Sequence, residues 1–340
     1  MRSWATWQVR PLPLTRPARL GYLGTMPEPG QREFGVDPEE FGSARVDAAA
    51  LQDAELGDVD WSVPPPGSVQ FTLDVPSGKL AAMALGDPDN PCVVLVPGAT
   101  GSKEDFSLMM PDLAGAGYYA LAYDLAGQYQ SAGAGPENLV PPRRHYDYRL
   151  FVDDFVAVME SRATPVHVVA YSFAGIIAQL AYVERPDLFR SITFLGCPPE
   201  PGHSFRGVSR IGRFSTWVNG RAGAALLIWG IRSGRVAHVP PARQRFVNYR
   251  FRFTRRSSIR DIYTLMQNVP DLRQELAEAG LPKFVAVGEH DLWPLQLHRL
   301  FAQSIRSRIG VYRGGHSPCE TSPHEFSRDL LALYAKEEES

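Results

Sequence analysis

Lysine is scarce in this chain of 340 residues: only four of its 35 basic side chains are lysine, and the rest are arginine. Cysteine is scarcer, at three. Cys92, Cys197 and Cys319 are an odd number without metal-like spacing, which argues against a disulfide framework and fits reduced thiols in a cytoplasmic protein. Long apolar runs are missing too. Glycine, proline or charge breaks each one well before the ~20 residues a membrane-crossing helix needs, so no transmembrane segment is expected. The histidines His145, His203, His238, His298 and His324 fall in no ligand pattern, and neither metal nor organic cofactor is expected.

Acidic residues are absent from two stretches. The first 25 residues hold four arginines, Pro11, Pro13, Pro17 and two tryptophans, with no acid and no apolar h-region, so they do not read as a secretory signal. Met26 is an alternative start to Met1, and the composition inverts there: residues 26–60 carry ten acids against two arginines. Residues 1–60 are read as an extended or disordered arm. The second stretch, His203 to Arg260, has thirteen arginines and no acid, interleaved with aromatics such as Phe205, Phe214, Trp217, Phe246, Tyr249 and Phe253. Over residues 203–280 there are fourteen arginines and four acids, a net of +10, so the remainder carries −12 within the total of −2. Two readings stand: a lid whose aromatics line an acyl pocket while its arginines attract an anionic substrate or surface, or a solvated basic face balancing an acidic core. No nucleic-acid-binding module accompanies these arginines, and no nucleic-acid partner is expected.

A hydrophobic content of 44% supports a sizeable core. Alternating strands at Val69–Val75 and Leu80–Leu85 precede apolar runs at Cys92–Val96, Val166–Ala170 and Lys283–Gly288, with further strands at Ser191–Leu195 and Arg308–Tyr312. Helical patterns fall at Glu104–Ala116, Tyr148–Glu160, Phe173–Glu184, Leu295–Ser304 and Pro323–Lys336, the last opened by Ser322 as a capping residue. Strands alternating with helices predict an α/β fold: a mostly parallel central sheet flanked by helices, with a helical cap inserted at 203–280 between core segments 61–202 and 281–340.

The run Val166–Tyr171 stops at Ser172, which stands between Ala170 and Ala174 where a helix begins. A serine hydroxyl needs such a tight strand-to-helix turn, a base and a helix N-terminus to act as a nucleophile. Downstream, Asp291 follows the strand Lys283–Gly288 and His316 lies on the glycine-hinged loop after Arg308–Tyr312, giving the order nucleophile, acid, base. Upstream, Pro97–Ser102 turns out of Cys92–Val96 and presents the N–H of Ala99, which with the N–H of Phe173 makes a pair of oxyanion donors. Glu200 is the alternative acid. His290 adjoins Asp291 and is expected to point away, and Cys319 is expected to be a loop thiol without a role.

Over residues 68–202 and 281–336 the chain resembles the α/β-hydrolase superfamily. Asp124–Ser131 is similar to that family's Asp-x-x-Gly-x-Gly-x-Ser loop, with the second glycine missing and Gln128 and Gln130 as departures; proline precedes the turn before Ala99 where many members carry histidine. Serine at the elbow argues against epoxide hydrolases and haloalkane dehalogenases, whose likeness requires a carboxylate nucleophile. The resemblance implies hydrolysis of a small-molecule ester, thioester, lactone or activated C–C bond, with a carboxylester first. A non-catalytic receptor on the same scaffold is the alternative. Oligomeric state is not legible.

Overall fold

The computed structural model describes residues 47–162, 165–205 and 240–338. Eight strands form one sheet: β1 Val69–Val75, β2 Gly78–Leu85, β3 Cys92–Val96, β4 Tyr119–Tyr123, β5 Val166–Tyr171, β6 Phe189–Leu195, β7 Lys283–Gly288 and β8 Arg308–Tyr312. Their spatial order is β1-β2-β4-β3-β5-β6-β7-β8. Only the β1–β2 and β2–β4 pairs are antiparallel. From β4 to β8 every pairing is parallel. β3, β4, β5 and β7 are buried along their whole length, because helices cover both faces, and that is why they read as unbroken apolar runs.

The described helices are α1 Ala48–Ala54, α2 Met110–Gly115, α3 Tyr148–Glu160, α4 Phe173–Glu184, α5 Pro241–Arg250, α6 Arg256–Leu265, α7 Arg273–Glu278, α8 Leu295–Ser304, α9 Pro318–Thr321 and α10 Pro323–Glu338. On one face Val94, Leu121, Val168 and Ile192 pack with Phe155 of α3, Ile177 of α4 and Phe301 of α8. On the other Val93, Leu95, Ala120 and Val169 pack with Leu113 of α2 and with Phe326, Leu330 and Tyr334 of α10. His167, on β5, belongs to this packing: its Nδ1 lies 2.8 Å from Ser191 Oγ, its ring stacks on Tyr334, and burial pushes its pKa down to about 3.

Several sequence expectations need correction. The helix expected over Glu104–Ala116 is split into a 3-10 turn, Lys103–Phe106, and α2, with Pro111 in the first turn of α2, where its missing N–H costs nothing. The arm expected to be extended to residue 60 contains α1, capped by Asp47, whose side chain accepts from Ala49 N at 3.1 Å. Residues 1–46 lie outside the described residues. The start of α10 is not capped by Ser322, whose hydroxyl donates instead to Arg313 O at 2.9 Å. Asp53 of α1 supplies that cap from far away in sequence, accepting from His324 N and Glu325 N at 2.9 Å each. Of the expected cap, α5, α6 and α7 are helical, while 206–239, including Phe214, Trp217 and Trp229, lies outside the described residues.

A second long-range carboxylate anchors the first hairpin. Asp154 of α3 accepts from Ser77 N at 3.0 Å and Ser77 Oγ at 2.5 Å, in the turn between β1 and β2.

Two predictions follow from these contacts. Asp53→Ala leaves two helix N–H groups without an acceptor and should lower stability by about 1 kcal/mol, read as a drop in denaturant midpoint at unchanged m-value; an unaltered midpoint would mean that α1 is not docked in solution. Burial pushes the Asp154 carboxyl up to about 7, above the ordinary 3.8, so the folded state binds its proton more tightly across that window. The stability it contributes is therefore complete below about pH 4 and lost as pH rises through about 7. Asp154→Asn keeps an acceptor for Ser77 N–H and offers an N–H to the Ser77 hydroxyl. Its urea stability relative to the parent should rise between pH 5 and 8, and a pH-independent difference would contradict the raised pKa.

Candidate active site

Parallel strands bring their carboxyl ends to one edge, and the loops after β3, β5, β7 and β8 meet there. Ser172 occupies the turn from β5 into α4 with φ 53° and ψ −116°, a backbone that side chains other than glycine rarely adopt. The turn is held by Ser172 N donating to Leu195 O at 2.8 Å and Gly175 N donating to Ser172 O at 3.0 Å. Alanine is tolerated at 170 and 174 because the close approach falls elsewhere: a Cβ at Gly175 would sit 1.8 Å from Cys197 Sγ. On the other side, a Cβ at Gly98 would come within 2.9 Å of Ser172 Cβ, so the loop after β3 lies directly against the serine.

His316 joins the two remaining groups. Its Nε2 is 3.1 Å from Ser172 Oγ and its Nδ1 is 2.8 Å from Asp291 Oδ2. An ionised carboxylate only accepts, so Nδ1 carries the proton and the lone pair of Nε2 faces the serine hydroxyl. Burial pushes the Asp291 carboxyl up, but the charge of His316 and the hydrogen bonds from His298 and His316 outweigh it and hold the acid well below the usual carboxylate range. Asp291 Oδ1 accepts from Trp293 N at 3.1 Å, and the Trp293 ring packs edge-on against His316 at 5.6 Å. Glu200 is exposed and makes no contact with His316, and His290 points outward beside Glu289. The Cys319 thiol is buried and its pKa is raised by that burial. Among the described residues no group of histidine, cysteine and acidic side chains is arranged to hold a metal ion.

Ala99 is half-buried in the loop after β3, and Phe173 is the first residue of α4, so its N–H has no intrahelical acceptor. Among the described residues neither N–H donates to a backbone acceptor in the surrounding turns, loops and caps. The adjoining loop Asp124–Ser131 is a structural buckle: Asp124 Oδ1 accepts from Lys103 N at 2.8 Å, and Ser131 Oγ donates to Asp124 O at 2.9 Å. The residue standing where the family glycine is missing is Tyr129, with φ 39°, rather than either glutamine. Packing of Tyr129 against Phe246 and Phe253 opposes the cost of that backbone.

Two parts of the site escaped sequence reasoning. His298, set aside for want of a ligand pattern, is fully buried, and its Nε2 lies 3.2 Å from Asp291 Oδ1. The legible signal was its helical phase: His298, Phe301, Ala302 and Ile305 form the buried stripe of α8. The second part is the role of the arginines. Neither reading, steering field or solvated face, holds for Arg243 and Arg250, which are 3% and 5% exposed and paired with acids of the core. Arg255, Arg260 and Arg273 are also ion-paired, with Glu137, Asp261 and Asp271.

Comparison with known proteins bears on the family and the fold. The sequence model described as the Alpha/beta hydrolase family matches residues 93–329. Among curated proteins, "Probable oxidoreductase EphD" of Mycobacterium tuberculosis is 32% identical over 134 residues, 38% of this chain and 21% of that protein, so the match spans about a fifth of the relative's length. Among solved structures, a putative aryl esterase from Burkholderia cenocepacia superposes with a TM-score of 0.65 at 20% identity, covering 80% of this chain and 100% of that one. A haloalkane dehalogenase from Bradyrhizobium elkani gives a TM-score of 0.65 at 19% identity over 80% of this chain and 99% of the other. At such identities the structural likeness speaks for the fold alone. Because the family model covers more than half of the chain, the chain belongs to the alpha/beta hydrolase family.

Proposed function

We propose that this hydrolase is a serine esterase that cleaves a small-molecule carboxylester through an acyl-enzyme. The observation that carries the reading is a single imidazole, His316, within hydrogen-bond distance of both Ser172 Oγ and Asp291 Oδ2. Ser172 Oγ attacks the carbonyl carbon while its proton passes to His316 Nε2. Asp291 fixes the Nδ1–H tautomer and stabilises the imidazolium. The N–H groups of Ala99 and Phe173 receive the negative charge that develops on the carbonyl oxygen, a contribution of roughly 3–4 kcal/mol in comparable sites. His316 then returns the proton to the leaving alkoxide. Water repeats the sequence on the acyl-serine, releasing the acid and restoring the hydroxyl.

Serine at position 172 favours acyl chemistry over the displacement reactions that need a carboxylate nucleophile. A small-molecule substrate suits the site, because the elbow serine is only 8% exposed.

A fluorophosphonate probe should label the protein at Ser172, and Ser172→Ala should abolish labelling and lower kcat/KM for p-nitrophenyl esters by about 10⁴-fold or more. Turnover surviving in the alanine variant would refute the assignment, and labelling without steady turnover would favour the receptor alternative. His298 gives a finer test. Its N–H and that of Trp293 hold Oδ1 of Asp291, leaving Oδ2 aimed at His316. His298→Ala should reduce kcat by about 10-fold with little change in KM, because orientation rather than binding is lost. His298→Gln, which can restore the N–H donor, should recover most of that rate; equal loss in both variants would indicate a packing role only.

A further inference from the structure

Two loops that must be in register for the proposed chemistry are the one carrying Ala99, after β3, and the one carrying His316, after β8. Each ends in a carboxylate beside the site, Asp105 buried and the Glu320 side chain 15% exposed. Asp105 closes the first loop, its Oδ2 accepting from Ser102 N at 3.1 Å. A Cβ at Gly101 would stand 2.6 Å from that oxygen, so the loop is folded tightly onto the carboxylate. Glu320 closes the second loop from α9, four residues past His316, where Ser317 Oγ is also held by Tyr171 OH at 2.7 Å.

Arg243 of α5 spans both. Its Nη2 donates to Asp105 Oδ1 at 2.5 Å, while its Nε donates to Glu320 Oε2 at 2.8 Å and Nη2 reaches Glu320 Oε1. Arg250, two turns along the same helix, donates to Asp105 Oδ1 at 2.6 Å and to Ser102 Oγ at 3.2 Å. The four charges cancel, and Trp61 covers Arg243 with its ring centre 4.3 Å from the guanidinium carbon. Buried pairs of this kind are a weak source of stability, since desolvation offsets most of the attraction, but their forked geometry is demanding. Only a planar guanidinium can serve both carboxylates at once.

Building on the serine-hydrolase reading, we propose that Arg243 is a positioning residue: a side chain of the inserted region bridges Asp105 and Glu320 and so sets the distance between the oxyanion loop and the His316 loop. The insertion thereby takes part in holding the catalytic centre together. Arg243 touches neither substrate nor reacting atoms and acts only through the two loops.

The test is the rate at which the fluorophosphonate probe labels Ser172, measured with thermal stability on the same preparations. Arg243→Lys keeps the charge and loses the fork. A double variant, Arg243→Met with Glu320→Gln, removes one charge of each sign and leaves the Asp105–Arg250 pair balanced, which protects the fold. Both should remain folded at the assay temperature yet label about 10- to 100-fold more slowly, the loss expected when reacting groups are displaced by a fraction of an ångström to an ångström. For ester turnover the loss should fall on kcat rather than KM. Arg243→Ala should regain labelling on addition of guanidinium ion at concentrations that leave the parent rate unchanged. Labelling of the folded double variant at the parental rate would overturn the proposal while leaving the serine assignment intact. A parent protein that is never labelled would instead remove the serine reading and this inference with it.

Discussion

The structure depends on a serine held at φ 53° between a buried strand and a helix. That backbone is strained by on the order of 1–3 kcal/mol and persists only because its surroundings leave it no alternative. β5 enters the turn paired on both sides, with β3 and β6, and α4 leaves it packed so closely on β6 that Gly175 has no room for a side chain against Cys197. The loop after β3 presses against the serine from the other side at Gly98. Fixing Ser172 in this way holds its hydroxyl 3.1 Å from His316 Nε2, with α4 beginning at the next residue.

The imidazole must meet that hydroxyl from a different strand end, and a chain of acceptors and donors aligns it. Asp291 takes hydrogen bonds from His316, His298 and Trp293, so its carboxylate stays ionised despite complete burial. Burial alone would favour the neutral acid, which could not orient the ring. The histidines on either side of Asp291 therefore differ in kind under the proposed mechanism: His316 would exchange the proton, and His298 would keep the acceptor in place.

Much of this was legible before any coordinates. Buried parallel strands are continuous apolar runs ended by glycine or proline, so β3 and β7 fall where the sequence sets them, as does the shorter, more exposed β8, and Ser172, Asp291 and His316 follow in chain order after β5, β7 and β8. Other features depend on contacts with no local period. Tyr129 takes up the positive φ of an absent glycine only because Phe246 and Phe253 pack on it. Asp53 caps a helix 271 residues away, and Arg243 reaches Asp105 across 138 residues. An arginine-rich stretch without acids invites a surface reading, and nothing in its own sequence reveals that its partners lie in loops beside the catalytic edge.

The arginines of the insertion thus divide into at least two groups: those buried against the catalytic loops and those paired with acids nearer the surface. A helix docked through such ion pairs, as α5 is through Arg243 and Arg250, is positioned by geometry more than by hydrophobic area. The central claim is that Ser172 carries the acyl group during turnover. Rapid acid quench during hydrolysis of a slowly deacylating ester, followed by mass analysis of the peptides, tests it most directly. The account predicts one acyl adduct, on the peptide containing Ser172, which forms in the burst phase and decays at the steady-state rate. Turnover with no adduct on that peptide, or with the acyl group on another residue, would contradict it.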